Sequence, residues 1–272
     1  MAAAALANVL SRVEAASSAA GRAAAARLVA VGKLKPAEMI QEVYDAGQRH
    51  FGENYVQELV GKAPVLPGDI RWHFIGQLQS NKCKSLVQGV PNLWAVESVD
   101  SVKLANKLNA ASEAHRDEPL GVYVQVNTSA EDQKGGVEPA EAAALAAHIR
   151  DECPHLRLVG LMTIGKLGSP AAVYFERLAE TRAKVADTLG LDVTALELSM
   201  GMSSDFELAI EHGADNVRVG TTIFGTRPPK TGGGSAAAPT AGAAGGGAAA
   251  GAAAGAAAGA AAAAAPAAGA SP

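Results

Sequence analysis

Short apolar runs alternate with segments of helical periodicity along most of the chain. The runs place Val, Leu, Ile and Phe on consecutive positions, which is typical of strands that a parallel sheet buries on both faces. Eight strands are predicted, at 27–31, from 50, and at 70–75, 93–96, 121–126, 156–162, 196–199 and 216–219. Helices are predicted between most of them, at 36–46, 54–62, 100–114, 138–150, 171–189 and 204–212. A first helix is predicted before residue 27, because Leu6, Val9 and Val13 recur at helical spacing.

This alternation predicts an α/β fold, a single (β/α)8 barrel of the TIM type with an N-terminal helix. Eight strand–helix units in about 230 residues are a common size for one barrel domain. No glycine-rich G-x-G-x-x-G motif follows the first strand, which disfavours a dinucleotide-binding open sheet. An open doubly wound sheet remains the alternative.

The composition changes abruptly near residue 231. Residues 231–272 consist almost entirely of Ala and Gly, without a charged or aromatic side chain. Such a segment cannot bury enough apolar surface to offset the entropy lost on ordering it. We therefore predict a barrel domain at 1–230 and a disordered low-complexity tail at 231–272.

Charge and cysteine content indicate which partners and which compartment to expect. The formal net charge is −4 and there is no block rich in Lys and Arg, which argues against nucleic acid or an anionic membrane as partner. No apolar run is long enough to cross a bilayer. Cys83 and Cys153 lack metal-like spacing and suit a reducing compartment. We expect a cytoplasmic protein; Glu14 speaks against an N-terminal transit peptide, although organelle import stays open.

Polar residues and glycines collect at the carboxyl ends of the predicted strands, where barrels of this type carry their chemistry. They are Lys33 after the first strand, Asn54 after the second, His73 in the third, Met162 at the end of the sixth, Ser203 and Ser204 after the seventh, and Gly220 and Thr221 after the eighth.

Two of these positions suggest a chemistry. The N-terminus of the helix predicted from residue 204 would favour a phosphate near Ser203 and Ser204, although ordinary helix capping would also explain both serines. Lys33 lies beside apolar Val31 and Leu34, and partial desolvation would make its amine a nucleophile toward an aldehyde. A solvated surface lysine is the alternative, and periodicity alone favours it.

Six segments together resemble the pyridoxal phosphate homeostasis protein family, which consists of single-domain relatives of the alanine racemase N-terminal barrel. The segments are AVGKLKP at 30–36, FGENYVQE at 51–58, WHFIGQLQSNK at 72–82, GLMTIG at 160–165, LSMGMSSDF at 198–206 and VRVGTTIFG at 217–225. The resemblance extends over roughly residues 5–230 and leaves out the Ala/Gly tail.

The resemblance implies a binding site for pyridoxal 5′-phosphate (PLP). It implies that Lys33 forms the Schiff base and that Arg218 faces the pyridine nitrogen. The remaining implied positions are Ser203, Gly220 and Thr221 as phosphate ligands, and Asn54, His73 and Met162 lining the cofactor pocket. The family usually has Ser at the position of Gly32 and Thr at that of Leu34, so packing of the lysine loop and cofactor affinity are expected to differ.

The resemblance also implies a carrier that keeps free PLP low and passes it to PLP-dependent apo-enzymes, as a monomer or weak dimer. An arginine against the pyridine nitrogen leaves that nitrogen unprotonated and makes the ring a poorer electron sink. Racemisation would need a second acid or base, for which Tyr55 and His73 are the candidates. After Phe224 and Gly225 only the low-complexity segment follows, so we expect no racemase second domain. A low-activity PLP-dependent racemase remains the alternative.

Overall fold

The computed structural model describes residues 1–129, 135–165 and 171–226. In these residues eight parallel strands follow chain order around a closed barrel, since β1 pairs with both β2 and β8. The strands are β1 (Arg27–Val31), β2 (His50–Glu53), β3 (Arg71–Phe74), β4 (Leu93–Val99), β5 (Leu120–Gln125), β6 (Leu156–Met162), β7 (Glu197–Ser199) and β8 (Asn216–Val219). The predicted (β/α)8 barrel is confirmed. The predicted tail at 231–272 lies outside the described residues.

A helix follows each strand, and another precedes the first. The helices are α1 (Ala2–Ala19), α2 (Ala37–Asp45), α3 (Val56–Lys62), α4 (Cys83–Gly89), α5 (Val102–His115), α6 (Ala142–Glu152), α7 (Ala172–Leu189), α8 (Phe206–Glu211) and α9 (Thr221–Phe224). Helices α4 and α9 were not predicted. The part of the chain that the structure describes contains no helix with the length and hydropathy needed to span a membrane.

Burial explains why these segments take these forms. All six residues of β5 are buried, as expected for a largely apolar strand between the barrel interior and the surrounding helices. Helix α7 instead buries one stripe that includes Phe175, Leu178 and Val185, and it ends at Gly190 in a left-handed conformation. Helix α1 buries Leu6 and packs on α8 and α9.

Candidate functional site

A cavity of about 480 Å³ opens at the carboxyl ends of the strands. Its walls come from the ends of β1, β2, β3, β6, β7 and β8, or from the residues that follow them. The lining residues are Val31, Lys33, Asn54, Ile75, Ile164, Met202, Ser203, Ser204, Arg218, Gly220 and Thr221. Six of the eight predicted site residues therefore share one cavity, namely Lys33, Asn54, Ser203, Arg218, Gly220 and Thr221.

Lys33 is half-buried and follows β1 by two residues. The neighbouring Gly32 is closely packed. A Cβ atom there would lie 2.9 Å from Cδ1 of Ile40 and 3.2 Å from Oε1 of Glu53. A side chain at this position would therefore require the end of Ile40 to shift.

Asn54 carries an unsatisfied polar atom into this region. Its Oδ1 is buried and has no hydrogen-bond partner among the described residues. Buried polar atoms are almost always paired, so this unpaired acceptor is unusual. Because the atom is enclosed, a ligand in the cavity would reach it only after the Asn54 side chain moved.

Ser203 joins the two loops on the opposite side of the cavity. Its Oγ accepts a hydrogen bond of 3.1 Å from the backbone N–H of Gly220. This leaves the Ser203 hydroxyl proton able to donate to a ligand. The hydroxyls of Ser204 and Thr221 lie in the same wall. Three hydroxyl groups on two adjacent loops are a donor set that suits a phosphate.

The helix after β7 begins later than predicted. Helix α8 starts at Phe206, and Asp205 precedes it with a side chain that accepts from the backbone N–H of Met202 at 2.6 Å. Ser203 and Ser204 consequently lie in the loop ahead of the helix instead of in its first turn. The prediction failed here because serine is a preferred capping residue and nothing in the sequence showed that the aspartate would precede the helix instead.

Arg218 presents a fixed cation to the cavity. Its side chain is only 4% exposed, and its guanidinium donates to Oγ of Ser199 at 2.6 Å and to the backbone carbonyl of Thr163 at 2.8 Å. Burial lowers the pKa of Arg218, and the nearby charge of Glu97 opposes that change. The group remains charged, because no ordinary environment deprotonates a guanidinium.

Glu97 supplies the counter-charge from inside the barrel. Its Oε2 lies 4.0 Å from Nη1 of Arg218 and accepts from the Ser199 hydroxyl at 2.5 Å. Its Oε1 accepts from the Asn216 amide at 3.1 Å and contacts Nδ1 of His73 at 2.5 Å. Burial opposes ionisation of this carboxyl, but its bond to His73 and the charge of Arg218 hold the pKa of Glu97 below its usual value. Arg218 and Glu97 are therefore both charged, and each is hydrogen-bonded to neighbouring groups.

The remaining two predicted site residues do not line the cavity. His73 is fully buried, with Nδ1 on Glu97 and Nε2 2.8 Å from Nδ1 of His50. Met162 is fully buried in a small cluster with Tyr123 and Val159. Glu97 connects His73 to Arg218. Direct contacts of His73 and Met162 with a cofactor stay predictions.

Glu97 and Asn216 were not among the predicted site residues. A signal for Glu97 existed, since it interrupts the apolar run of β4, where an unpaired charge would be costly. The apolar walls formed by Ile75, Ile164 and Met202 carried no comparable signal, because they look like any core residue.

Comparison with known proteins shows which proteins the chain around this cavity is similar to. The family described as "Alanine racemase, N-terminal domain" matches residues 5–228. The pyridoxal phosphate homeostasis protein of Mus musculus is 51% identical over 211 residues, which cover 74% of this chain and 77% of that protein. The protein of that name from Schizosaccharomyces pombe is 49% identical over 205 residues, which cover 74% and 84%.

The chain belongs to the pyridoxal phosphate homeostasis protein family. Among solved structures, PipY of Synechococcus elongatus with PLP bound is 33% identical and superposes with a TM-score of 0.68 over 83% of this chain and 100% of that one. The resemblance stated from the six sequence segments is confirmed. The matched region, residues 5–228, contains every residue that lines the cavity.

The residues present fit PLP on grounds independent of the family. Lys33 offers an amine for the aldehyde, and the hydroxyls of Ser203 and Thr221 suit the phosphate. Arg218 faces the cavity as a donor that has no acceptor atom, which suits an unprotonated ring nitrogen. Asn54 adds a polar amide side chain to the same cavity wall.

Proposed function

We propose that this protein holds PLP as a Schiff base on Lys33 and delivers it to PLP-dependent apo-enzymes, without catalysing a reaction of its own. The observation that carries the proposal is the placement of Lys33, Ser203, Thr221 and Arg218 in the walls of one cavity. The names of the relatives and the PLP bound to PipY support it.

The phosphate would be held where the loops after β7 and β8 meet. Ser203, Gly220 and Thr221 form that corner, and the bond from Gly220 to Ser203 fixes the two loops against each other. A carrier benefits from this arrangement, because the phosphate contacts retain the cofactor while the imine on Lys33 forms and hydrolyses. Binding affinity and covalent attachment are then controlled by different residues.

The environment of Arg218 favours a PLP carrier over an enzyme in which PLP withdraws electrons from a substrate. Bound PLP supplies an electron sink for reactions at an amino-acid carbon, and the sink is strong only when its ring nitrogen is protonated. Arg218 is held by Ser199 and Thr163 and paired with Glu97, so it cannot give a proton to the ring. The protein would therefore bind the cofactor while leaving it weakly activated.

The placement of the two candidate bases also favours a carrier over a racemase. Racemisation needs an acid or base on each face of the substrate. Tyr55 is 50% exposed and is not part of the cavity lining, and His73 is buried with both ring nitrogens engaged by Glu97 and His50. Among the described residues, neither candidate is placed to complete a two-base site.

Two assays on the PLP-loaded protein test this function. In the first, the loaded protein is mixed with a PLP-requiring apo-transaminase in the presence of a phosphatase that destroys free PLP. We expect activation of the transaminase by the loaded protein, and none by an equal amount of free PLP.

The second assay follows conversion of L-alanine and other L-amino acids to their D forms. We expect no turnover above that of free PLP. Racemisation that Lys33→Ala abolishes would show that the protein is an enzyme, and failure to activate the transaminase would remove the delivery role.

A further inference from the structure

The backbone on both sides of Lys33 is held by one group of charged side chains, here called the loop clamp, which consists of Glu53, Glu58 and Lys62. Nζ of Lys62 donates to the carbonyl oxygen of Gly32 at 3.1 Å, immediately before Lys33. Oε2 of Glu58 accepts from the backbone N–H of Leu34 at 2.9 Å, immediately after it. The two contacts thus bracket the lysine.

The loop clamp is internally bonded and largely removed from solvent. Nζ of Lys62 lies 2.7 Å from Oε1 of Glu53 and 3.1 Å from Oε2 of Glu58. The side chains of Lys62 and Glu53 are 11% and 0% exposed. Burying such an ion group costs desolvation that well-packed apolar residues would avoid, so it is weak evidence for stability and calls for another role.

The loop that the clamp holds is strained. Leu34 has a φ of 61°, in the left-handed region, and is the one non-glycine residue there in the described chain. A leucine is disfavoured in that region because its Cβ crowds the following carbonyl oxygen. Glu58 therefore holds the N–H of a residue in a disfavoured conformation directly beside Lys33.

The far side of the loop is tied to the opposite wall of the cavity. Nζ of Lys35 donates to the carbonyl oxygens of Phe224 and Thr226, at 2.8 and 3.1 Å. These carbonyls follow the proposed phosphate-binding segment at Gly220 and Thr221. Lys33 therefore stands between the loop clamp on one side and an anchor beside the phosphate corner on the other.

We propose that Glu58 and Lys62 are positioning residues, which aim the Lys33 amine into the cavity and thereby set how fast PLP is attached and released. This inference rests on the proposed function. In the step concerned, Nζ adds to the aldehyde carbon, a C=N bond forms, and the aldehyde oxygen leaves as water with both amine protons. Release is the reverse hydrolysis.

The test separates attachment from binding. The rate of imine formation with PLP is followed by stopped-flow absorbance, and the affinity for pyridoxine 5′-phosphate, which has no aldehyde, is measured by calorimetry. For Lys62→Met and Glu58→Ala we expect imine formation slower by roughly tenfold or more, because small errors in the placement of a reacting group are costly. The affinity for the analogue should change less than about twofold.

Two further variants serve as controls. Glu58→Gln keeps an oxygen that can accept from Leu34, so its rate should lie close to wild type. Lys84→Met removes an exposed lysine of α4 and should leave both quantities unchanged.

The outcomes are distinguishable. Wild-type rates in both Lys62→Met and Glu58→Ala would overturn the inference, as would a parallel loss of analogue affinity, which would make the clamp a general structural element. If Lys62→Met does not fold, the half-buried Glu58→Ala decides alone. A wild-type protein that forms no imine at all would instead refute the proposed function.

Discussion

Arg218 and Glu97 form a charge pair that is almost completely removed from solvent. The two side chains are 4% and 0% exposed, and Ser199 bonds to both of them. When one member of such a pair is removed, the other is left as an uncompensated buried charge. The arginine that faces the cavity is therefore also part of the stability of the barrel.

We expect Arg218→Met to lower the free energy of unfolding by roughly 3–5 kcal/mol, because Glu97 then stays buried without its cation. Adding Glu97→Gln should recover part of the loss, with a coupling energy of about 1–3 kcal/mol. Urea unfolding of the two single variants and the double variant measures both quantities.

Arg12→Met is the matched control for this experiment. It breaks an exposed ion pair with Glu207, whose side chains are 38% and 46% exposed, and should cost less than about 1 kcal/mol. Additive losses in the Arg218 and Glu97 variants would contradict the pairing.

The site residues that could be found from sequence are those at strand ends. Lys33, Ser203 and Thr221 follow apolar runs, and the rule for barrels places them on one rim. The contact of His73 with Glu97 could not be found in this way, because it depends on the register between β3 and β4. That register shifts between Trp72 and His73, and sequence periodicity does not reveal such a shift.

At the level of elements, the end of β3 is packed against the end of β2 at Gly76. A Cβ atom at Gly76 would lie 2.0 Å from the backbone carbonyl oxygen of Asn54. Only glycine allows the two backbones to approach this closely. The backbone of Asn54, a proposed cofactor contact, is therefore positioned by the segment that follows β3.

Gly76→Ala should therefore destabilise the protein by about 1–3 kcal/mol through overpacking and should weaken PLP binding by moving Asn54. Gly61→Ala is the control, since Gly61 lies in α3 with open space around it, and alanine there should stabilise by about 0.5–1 kcal/mol. Thermal unfolding and PLP titration of both variants check this. Equal behaviour of the two alanine variants would show that the contact with Asn54 is unimportant.

The strands were predicted more accurately than the helices. Strands β1, β6 and β8 have the predicted bounds, because buried parallel strands are rich in Val and Leu even where single polar residues interrupt them. Helix α4 was missed because it is short, and α6 begins at Ala142, four residues after the predicted start at 138. Helix starts depend on which capping contacts form, and several candidates in a loop compete for that role.

At the scale of the whole molecule, a histidine at the amino-terminal end of the barrel makes the stability of the fold depend on pH. His50 stands at the start of β2, and desolvation together with the nearby charges of His73, Arg27 and Arg71 lowers the pKa of His50 to about 3. A histidine with a lower pKa in the folded state takes up a proton on unfolding. Its contribution to stability is therefore complete above about pH 6.5 and is lost as the pH falls toward 3.

We expect His50→Gln to flatten the loss of stability between pH 6.5 and pH 3, with about one proton fewer taken up on unfolding. The slope of unfolding free energy against pH, from urea titrations across that range, gives this number. An unchanged slope in the His50 variant would mean that His50 is already protonated in the folded protein.

Covalent attachment of PLP to Lys33 is the central element of the proposed function. The direct measurement is borohydride reduction of the PLP-loaded protein, followed by peptide mass analysis of wild type, Lys33→Ala and Lys35→Ala. We expect one reduced pyridoxyl phosphate group on the peptide that contains Lys33 in wild type, the same group in Lys35→Ala, and none there in Lys33→Ala. Modification of a different lysine, or equal modification of wild type and Lys33→Ala, would contradict this attachment.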